Sequence, residues 1–250
     1  MSVQSVERIF AIIEIMSKEA EPLQLTVIAK ECQLPPSTTH RLLETLCNLG
    51  YAKCSIGGFY SLTPRLFNIT SNAFTENSLF SVVKPHLDEL SDLVNETVLL
   101  VLCDSTDVVY VYKNVKSIGS IQMGSRIGKR IPMHRTAAGK AILSDLSEAE
   151  VRHIFSRSDI RPATNHSITD VEELLCCLEI DRRRGYSMDN EENELGITCI
   201  GMTLGKPVDG TQYAFSVSSL TSRMLPDRVE CIVKAMKRTQ SNILNEWVDL

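Results

Sequence analysis

The sequence predicts an α+β protein in two parts: a winged helix-turn-helix domain over residues 1–63 and a larger mixed domain over 77–250, joined by a partly helical linker at 64–76. Three observations predict it. Three short helical patterns, broken at Pro22 and again at Pro35-Pro36, lead into two short strands around Gly57-Gly58. Beyond residue 77, β-branched runs and amphipathic helical runs mix without a steady βαβ repeat, which favours an antiparallel or mixed sheet with helices on its faces. Between the two regions lies a weakly apolar stretch rich in Asn, Thr and Ser, and 250 residues are enough for two domains.

In the first helix, Val6, Ile9, Phe10, Ile13 and Met16 recur at helical spacing, with Glu7, Arg8, Glu14 and Lys18 opposite. A second helix is expected over Leu25–Glu31, with Ile28 and Ala29 inward. Pro35 and Pro36 then force a turn, because proline lacks an N–H and restricts the residue before it. Ser37 is expected to cap a third helix that ends near Leu49, with Gly50 as its stop and Leu42, Leu46 and Leu49 as its apolar stripe. Its first turns are polar: Ser37, Thr38, Thr39, His40 and Arg41. The major groove of a duplex admits one helix, whose N-terminal residues reach the base edges.

Two strands at 51–54 and 59–62 enclose Ser55-Ile56-Gly57-Gly58, a tight turn in which glycine permits positive φ. Such a hairpin is a wing, and Lys53, Gly57, Gly58 and Arg65 are expected near a phosphate chain. The charge balance gives no support: residues 1–76 carry six Lys/Arg against seven Asp/Glu, and the whole chain carries a formal net charge of -5. A helical protein-binding module therefore stays open, and a DNA binder of this composition needs at least two copies on its site.

In the second part, Leu79, Val82, Val83, Leu87, Leu90 and Val94 make an amphipathic helix with Pro85 inside it. Strands follow at 97–103 and 108–112 around a turn at 104–107, with a further short strand expected at 120–123. A glycine-bearing basic segment, 124–130, precedes a helix of small residues that opens at 135–141. Helices are expected near 148–155 and over 169–184, the latter stopped by Gly185. Strands at 186–188, 197–202 and 213–218 come before a final helix carrying Val229, Ile232, Val233, Met236, Ile243, Leu244 and Trp247.

No GxSxG, HExxH or Walker A pattern occurs, so no enzyme activity and no cofactor are expected. Eight cysteines form no CxxC pair, and the five histidines have no ligand spacing, so no metal is expected. Free thiols, a start unlike a signal peptide and no run near 18 apolar residues suggest a cytoplasmic protein without a membrane span. Four features can carry ligand chemistry, each with a plainer reading beside it. Residues 136–139 combine small side chains with a helix start, which suits an anion or close packing on a sheet. Asp189, Glu191 and Glu192 form either a polar site or a solvated loop. Ser216 and Ser218 alternate on one face of an apolar strand and need partners there. Cys199 is either a buried thiol or a nucleophile awaiting a base.

Three blocks in order carry a resemblance that covers residues 3–247. They are Leu34-Pro35-Pro36-Ser37-Thr38-Thr39-His40-Arg41 with the following leucines, Pro132-Met133-His134-Arg135-Thr136-Ala137-Ala138-Gly139-Lys140-Ala141, and Arg184-Gly185-Tyr186-Ser187-Met188-Asp189-Asn190-Glu191-Glu192 with Gly196-Ile197-Thr198-Cys199-Ile200. The chain resembles the IclR family of bacterial transcription regulators. That resemblance implies a GAF-like effector-binding domain after the winged helix and self-association as a dimer or tetramer. It also implies a double-stranded DNA operator and a small organic acid effector controlling a catabolic operon, with repression the expected role. By the same resemblance Ser37, Thr38, Thr39 and Arg41 contact DNA. Ala137 and Ala138 act as backbone donors, Asp189, Cys199, Ser216 and Ser218 as polar contacts, and Ser120, Met123, Ile131 and Ile197 as wall. The family often has glycine where Ala137 stands, so the added methyl narrows the expected pocket. Two other readings remain: a Cys199-dependent enzyme, and a scaffold that senses nothing and uses its N-terminal module for assembly.

Overall fold

The structure, a computed structural model, describes residues 3–19, 21–66, 68–69, 78–116, 125–206 and 210–247. The chain divides into two compact units, Met1–Asn77 and Ser78–Leu250. The expected linker at 64–76 and the expected strand at 120–123 fall largely or wholly outside the described residues.

The smaller unit holds α1 (Gln4–Lys18), β1 (Leu23–Gln24), α2 (Leu25–Glu31), α3 (Pro36–Asn48), β2 (Ala52–Ser55) and β3 (Phe59–Leu62). Its core is Ile12, Met16, Ile28, Leu43, Leu46 and Ala52. Three expectations are corrected. In α1 the inward face is centred on Ile12 and Met16, while Val6 and Phe10 are exposed, Phe10 by 58%. α3 begins at Pro36 with Pro35 in the capping position, so Ser37 is not the cap: the fixed φ of Pro36 suits a first helical residue that needs no N–H partner. The buried stripe of α3 is Thr39, Leu43 and Leu46, and Leu49 is exposed. β1 is too short to show a period, and it extends the hairpin into a three-stranded antiparallel sheet of order β1-β3-β2.

The larger unit is built on a six-stranded antiparallel sheet. Its strands are β4 (Thr97–Asp104), β5 (Asp107–Asn114), β6 (Arg130–Pro132), β7 (Ser187–Asn190), β8 (Ile197–Gly205) and β9 (Tyr213–Leu220), in the order β6-β5-β4-β9-β8-β7. Alternation along each strand splits its side chains between two cores. On one face Val98, Leu100, Phe215, Val217, Ile200 and Met202 pack against α4 (Ser78–Val94) and α8 (Pro226–Trp247). On the other, Leu99, Val101, Val108, Tyr110, Ile131 and Ala214 pack with α5 (Ala137–Ser144), α6 (Glu148–Arg157) and α7 (Val171–Arg184).

The helix ends follow local chemistry. Thr136 accepts a hydrogen bond from the Gly139 N–H at the start of α5, Ser147 and Glu150 form a capping box on α6, and Asp170 accepts from the N–H groups of Glu172 and Glu173 on α7. Gly185 closes α7 at φ 77°. Pro85 sits inside α4 without ending it.

Candidate functional site

In the smaller unit, α3 turns Ser37, His40 and Arg41 to solvent, with Thr38 half-buried. Thr39 is corrected: it is 0% exposed, and its hydroxyl donates to the Pro35 carbonyl at 3.2 Å, so it serves the turn rather than the outer surface. Glu44, Thr45 and Asn48 continue the exposed face. The wing tip is Ile56-Gly57-Gly58, with φ 98° and 78° at the two glycines, and Ile56 stands fully in solvent. Lys53 is exposed on β2. Arg65 is exposed too, its guanidinium 5.2 Å from the centre of the Tyr51 ring. The polar helix face, Lys53, the wing tip and Arg65 all belong to this one unit.

In the larger unit, strand register builds the second candidate site. Asp189 pairs with Cys199 and Cys199 with Ser218, so these three side chains form one row across β7, β8 and β9. The next row is Gly201, Ser216 and Leu99. Gly201 decides what lies above. A Cβ there would meet the carbonyl carbon and oxygen of Ala137 at 2.4 Å and the Ala138 nitrogen at 2.6 Å. Only a bare glycine lets the first turn of α5 rest on the sheet. Gly139 plays the same part toward Met133, whose carbonyl oxygen would lie 2.3 Å from an added Cβ. The small residues of 136–139 therefore serve close packing, and that packing delivers a helix start to the rows of polar side chains. Thr136 takes one of the helix's open N–H groups, and the first N–H groups of any helix lack an intrahelical partner.

Between helix start and sheet lies a narrow cavity. Its lining includes Leu99, Tyr110, Ala137, Ala138, Asp189, Ile197, Cys199, Ser216 and Ser218. Ile131 is not part of this wall: it is buried in the core beside Met133 and Val108. Ser120 and Met123 lie outside the described residues. Thr136, from the expected helix start, also lines the cavity, while Leu99, Tyr110, Ser125, Asn193 and Glu194 belong to the wall and were not anticipated. For Leu99 the strand alternation held the signal, since it falls on the face opposite Leu100; Tyr110 reaches the same face only through a register shift between β4 and β5 that skips Val111 and parts it from Tyr112.

The Asp189 loop is not a solvated charge run. Asp189 is 3% exposed, and its Oδ1 accepts from the Glu192 N–H at 2.7 Å and the Asn193 N–H at 3.4 Å. Glu192 is buried as well and accepts from the fully buried Lys140 ammonium of α5 at 2.5 Å. Thr164 and Ser167 donate to the Glu191 and Glu192 carbonyls, each at 2.6 Å. Burial pushes the Asp189 pKa up to about 7. Glu192 adds to the rise, while Lys140 and the two N–H groups oppose it. For Lys140, burial disfavours the charged form, but Glu192, Cys177 and Asp189 together outweigh it and hold the ammonium pKa above its ordinary value. Burial, then Asp189, raise the Cys199 thiol well above its usual range, although Ser218 donates to its sulfur at 3.1 Å. Burial likewise raises the Tyr110 phenol. At neutral pH the wall thus offers a thiol, a phenol, two serine hydroxyls and a carboxyl near its midpoint. Among the described residues, no group of three or more His, Cys, Asp or Glu is placed to hold a metal ion, and no helix is long and apolar enough to cross a membrane.

The two halves match two family models: the IclR helix-turn-helix domain over residues 5–53 and the bacterial transcriptional regulator IclR C-terminal domain over residues 71–245. The HTH-type transcriptional regulator KdgR of Dickeya chrysanthemi is 33% identical over 246 residues, covering 98% of this chain and 80% of the relative. The acetate operon repressor of Salmonella typhimurium is 32% identical over 242 residues, covering 94% and 88%. Among solved structures, Thermotoga maritima IclR superposes with a TM-score of 0.79 at 26% identity, over 98% of each chain. An IclR homolog from Microbacterium hydrocarbonoxydans, complexed with 4-hydroxybenzoate, shares the fold with a TM-score of 0.85 at 19% identity, over 98% of this chain and 100% of that one.

Proposed function

The chain belongs to the IclR family of bacterial transcriptional regulators, and from that premise we propose that it is an operon-specific repressor of catabolic genes that senses a small organic acid in the cavity of its larger unit. The observation that carries the reading is the cavity itself. A helix start faces a row of hydroxyl, thiol and carboxyl groups, donors and acceptors suited to an oxygen-rich acid with a short apolar body. Ala137 and Ala138 present backbone donors to the carboxylate. Ser216, Ser218, Cys199 and Asp189 take the remaining oxygens, with Leu99 and Ile197 as apolar wall. On the DNA side, Ser37, Thr38, His40 and Arg41 enter the major groove, and Lys53, Gly57, Gly58 and Arg65 follow the backbone of a double-stranded operator. A name such as acetate operon repressor on a relative supports repression. The acid acts by binding one arrangement of the DNA-binding units more tightly than another.

Gel shifts on the chain's own upstream DNA test the first half. Arg41→Ala is expected to cost roughly 1–3 kcal/mol of specific binding, as for loss of a base-edge contact. Undiminished specific binding would take that role from α3. A thermal-shift screen with carboxylates, followed by calorimetry, tests the second half. Ser216→Ala with Ser218→Ala should weaken a bound acid by roughly 1.5–3 kcal/mol per hydrogen bond lost. Equal affinity would place the acid elsewhere. The reading of Cys199 as a catalytic nucleophile is disfavoured by its own surroundings, since a thiol held protonated is a poor nucleophile.

A further inference from the structure

Asp189 and Glu194 line the cavity, and no Lys, Arg or His does so among the described residues. The nearby ammonium groups are already engaged. Lys140 is tied to Glu192 at 2.5 Å. Lys113 donates to the Ser125 carbonyl at 2.7 Å and lends its charge to Glu194. An entering carboxylate therefore meets the Asp189 carboxyl with no cationic side chain in the wall to compensate, in a space where like charges interact strongly.

We propose that this cavity binds a small monocarboxylate together with one proton, which is held by the Asp189 carboxyl facing the effector. The inference rests on the effector reading of the cavity given above. Every element around Asp189 contributes to the arrangement. Cys199 of β8 and Tyr110 of β5 face it as neutral groups. Glu192 adds negative charge from the loop after β7, and Lys140 of α5 offsets only part of it. The Glu192 and Asn193 N–H groups bind Oδ1 and leave the proton to Oδ2. Burial brings the Asp189 carboxyl close to protonation at neutral pH. A bound anion shifts Asp189 the rest of the way, so the acid and the proton favour one another's binding.

The test uses the full-length protein with pyruvate, glycerate and 4-hydroxybenzoate as probes. Calorimetry at pH 8 in phosphate and in Tris, whose ionisation heats differ, counts protons. About one proton is expected to be taken up per acid bound, with affinity falling about tenfold per pH unit between pH 8 and 9 and levelling off below pH 7. Asp189→Asn keeps an acceptor for the two N–H groups and carries no charge. It should take up no proton, bind with the same affinity from pH 6 to 9, and exceed the wild type at pH 9. A ¹³C titration of the Asp189 carboxyl in the wild type gives the answer if the variant fails to fold, because saturation with a probe should move its midpoint upward. Binding without proton uptake, an unmoved midpoint, or a folded Asn variant that loses affinity equally at every pH would overturn the inference and leave the effector reading standing. If none of the three acids binds wild type or variant at any pH, the effector reading falls and takes this inference with it.

Discussion

At the scale of single residues, burial changes what a polar group does. His134 is 2% exposed and packs its ring edge-on to Phe155, with centroids 5.1 Å apart. Neither ring nitrogen has a hydrogen-bond partner. Burial, then the charges of Arg135 and Lys140, lower its pKa from 6.5 to about 4. The unfolded chain therefore takes up this proton first. Its contribution is intact above pH 6.5 and is lost as pH falls toward 4, at about 1.4 kcal/mol per pH unit and on the order of 3 kcal/mol in all. Asp189 has the opposite sign: its raised pKa penalises the fold above pH 7, and the penalty fades as pH falls toward 3.8. Denaturant titrations of wild type and His134→Leu between pH 7 and 4 separate the two. The variant should lose markedly less stability in acid, and an unchanged pH slope would remove His134 as the cause. Neither behaviour was legible in the sequence, where His134 is one of five scattered histidines and Asp189 opens what reads as a charge run. Thr39 shows the same limit. Its neighbours Ser37, His40 and Arg41 are exposed as their polarity suggests, yet Thr39 faces inward because it lies one and two helical turns before Leu43 and Leu46 on the buried stripe.

Elements were more legible than residues, because their patterns repeat. Five of the six strands of the larger unit and its described α-helices announce themselves by alternation, helical spacing or caps. What escaped was short or non-local. β1 has two residues and β6 three, too few for a period. The row Asp189–Cys199–Ser218 depends on the register among three separate strands, which no local pattern encodes. Contact between α5 and β8 likewise needs both partners in view, and Gly201 controls it. Gly201→Ala must push the Ala137 carbonyl and the Ala138 nitrogen away by about an ångström or tilt the helix, since backbone offers no rotamer to yield. Overpacking of this kind typically costs 1–3 kcal/mol. In a domain of this size that lowers the melting temperature by roughly 2–4 °C per kcal/mol. The variant should also lose acid binding beyond what the stability loss explains, because the helix start would leave its place over the polar rows. A stable Gly201→Ala protein with unaltered acid affinity would show that helix and sheet need not touch.

For the whole molecule, the unresolved question is how a chain with so little positive charge holds a duplex. Phosphate neutralisation supplies much of the affinity for DNA, and six Lys/Arg against seven Asp/Glu in residues 1–76 leave one copy a weak binder. The smaller unit supplies a reason for pairing. Val6 and Phe10 lie one helical turn apart along the outer side of α1, on the face away from Ile12 and Met16, with Val3 in the capping position before them, and all three are exposed. An exposed apolar stripe with an aromatic at its end is the composition of an interface centre. Self-association of the kind the family resemblance implies would have a second copy cover it, so that two copies of α3 reach successive half-sites and their few cations act together. Phe10→Asp would then break the pair without harming the fold, because the side chain makes no contribution to the core and surface changes usually stay within about 0.5 kcal/mol. Sedimentation should show smaller assemblies for the variant. Specific affinity for operator DNA should fall on the order of tenfold or more, since removal of an aromatic anchor commonly costs at least about 2 kcal/mol. Salt dependence sharpens the test: a lone copy releases fewer counterions, so the slope of log affinity against log salt should become shallower. A Phe10→Asp protein with wild-type assembly, operator affinity and salt slope would show that α1 is not the joint, and the charge deficit would need another remedy.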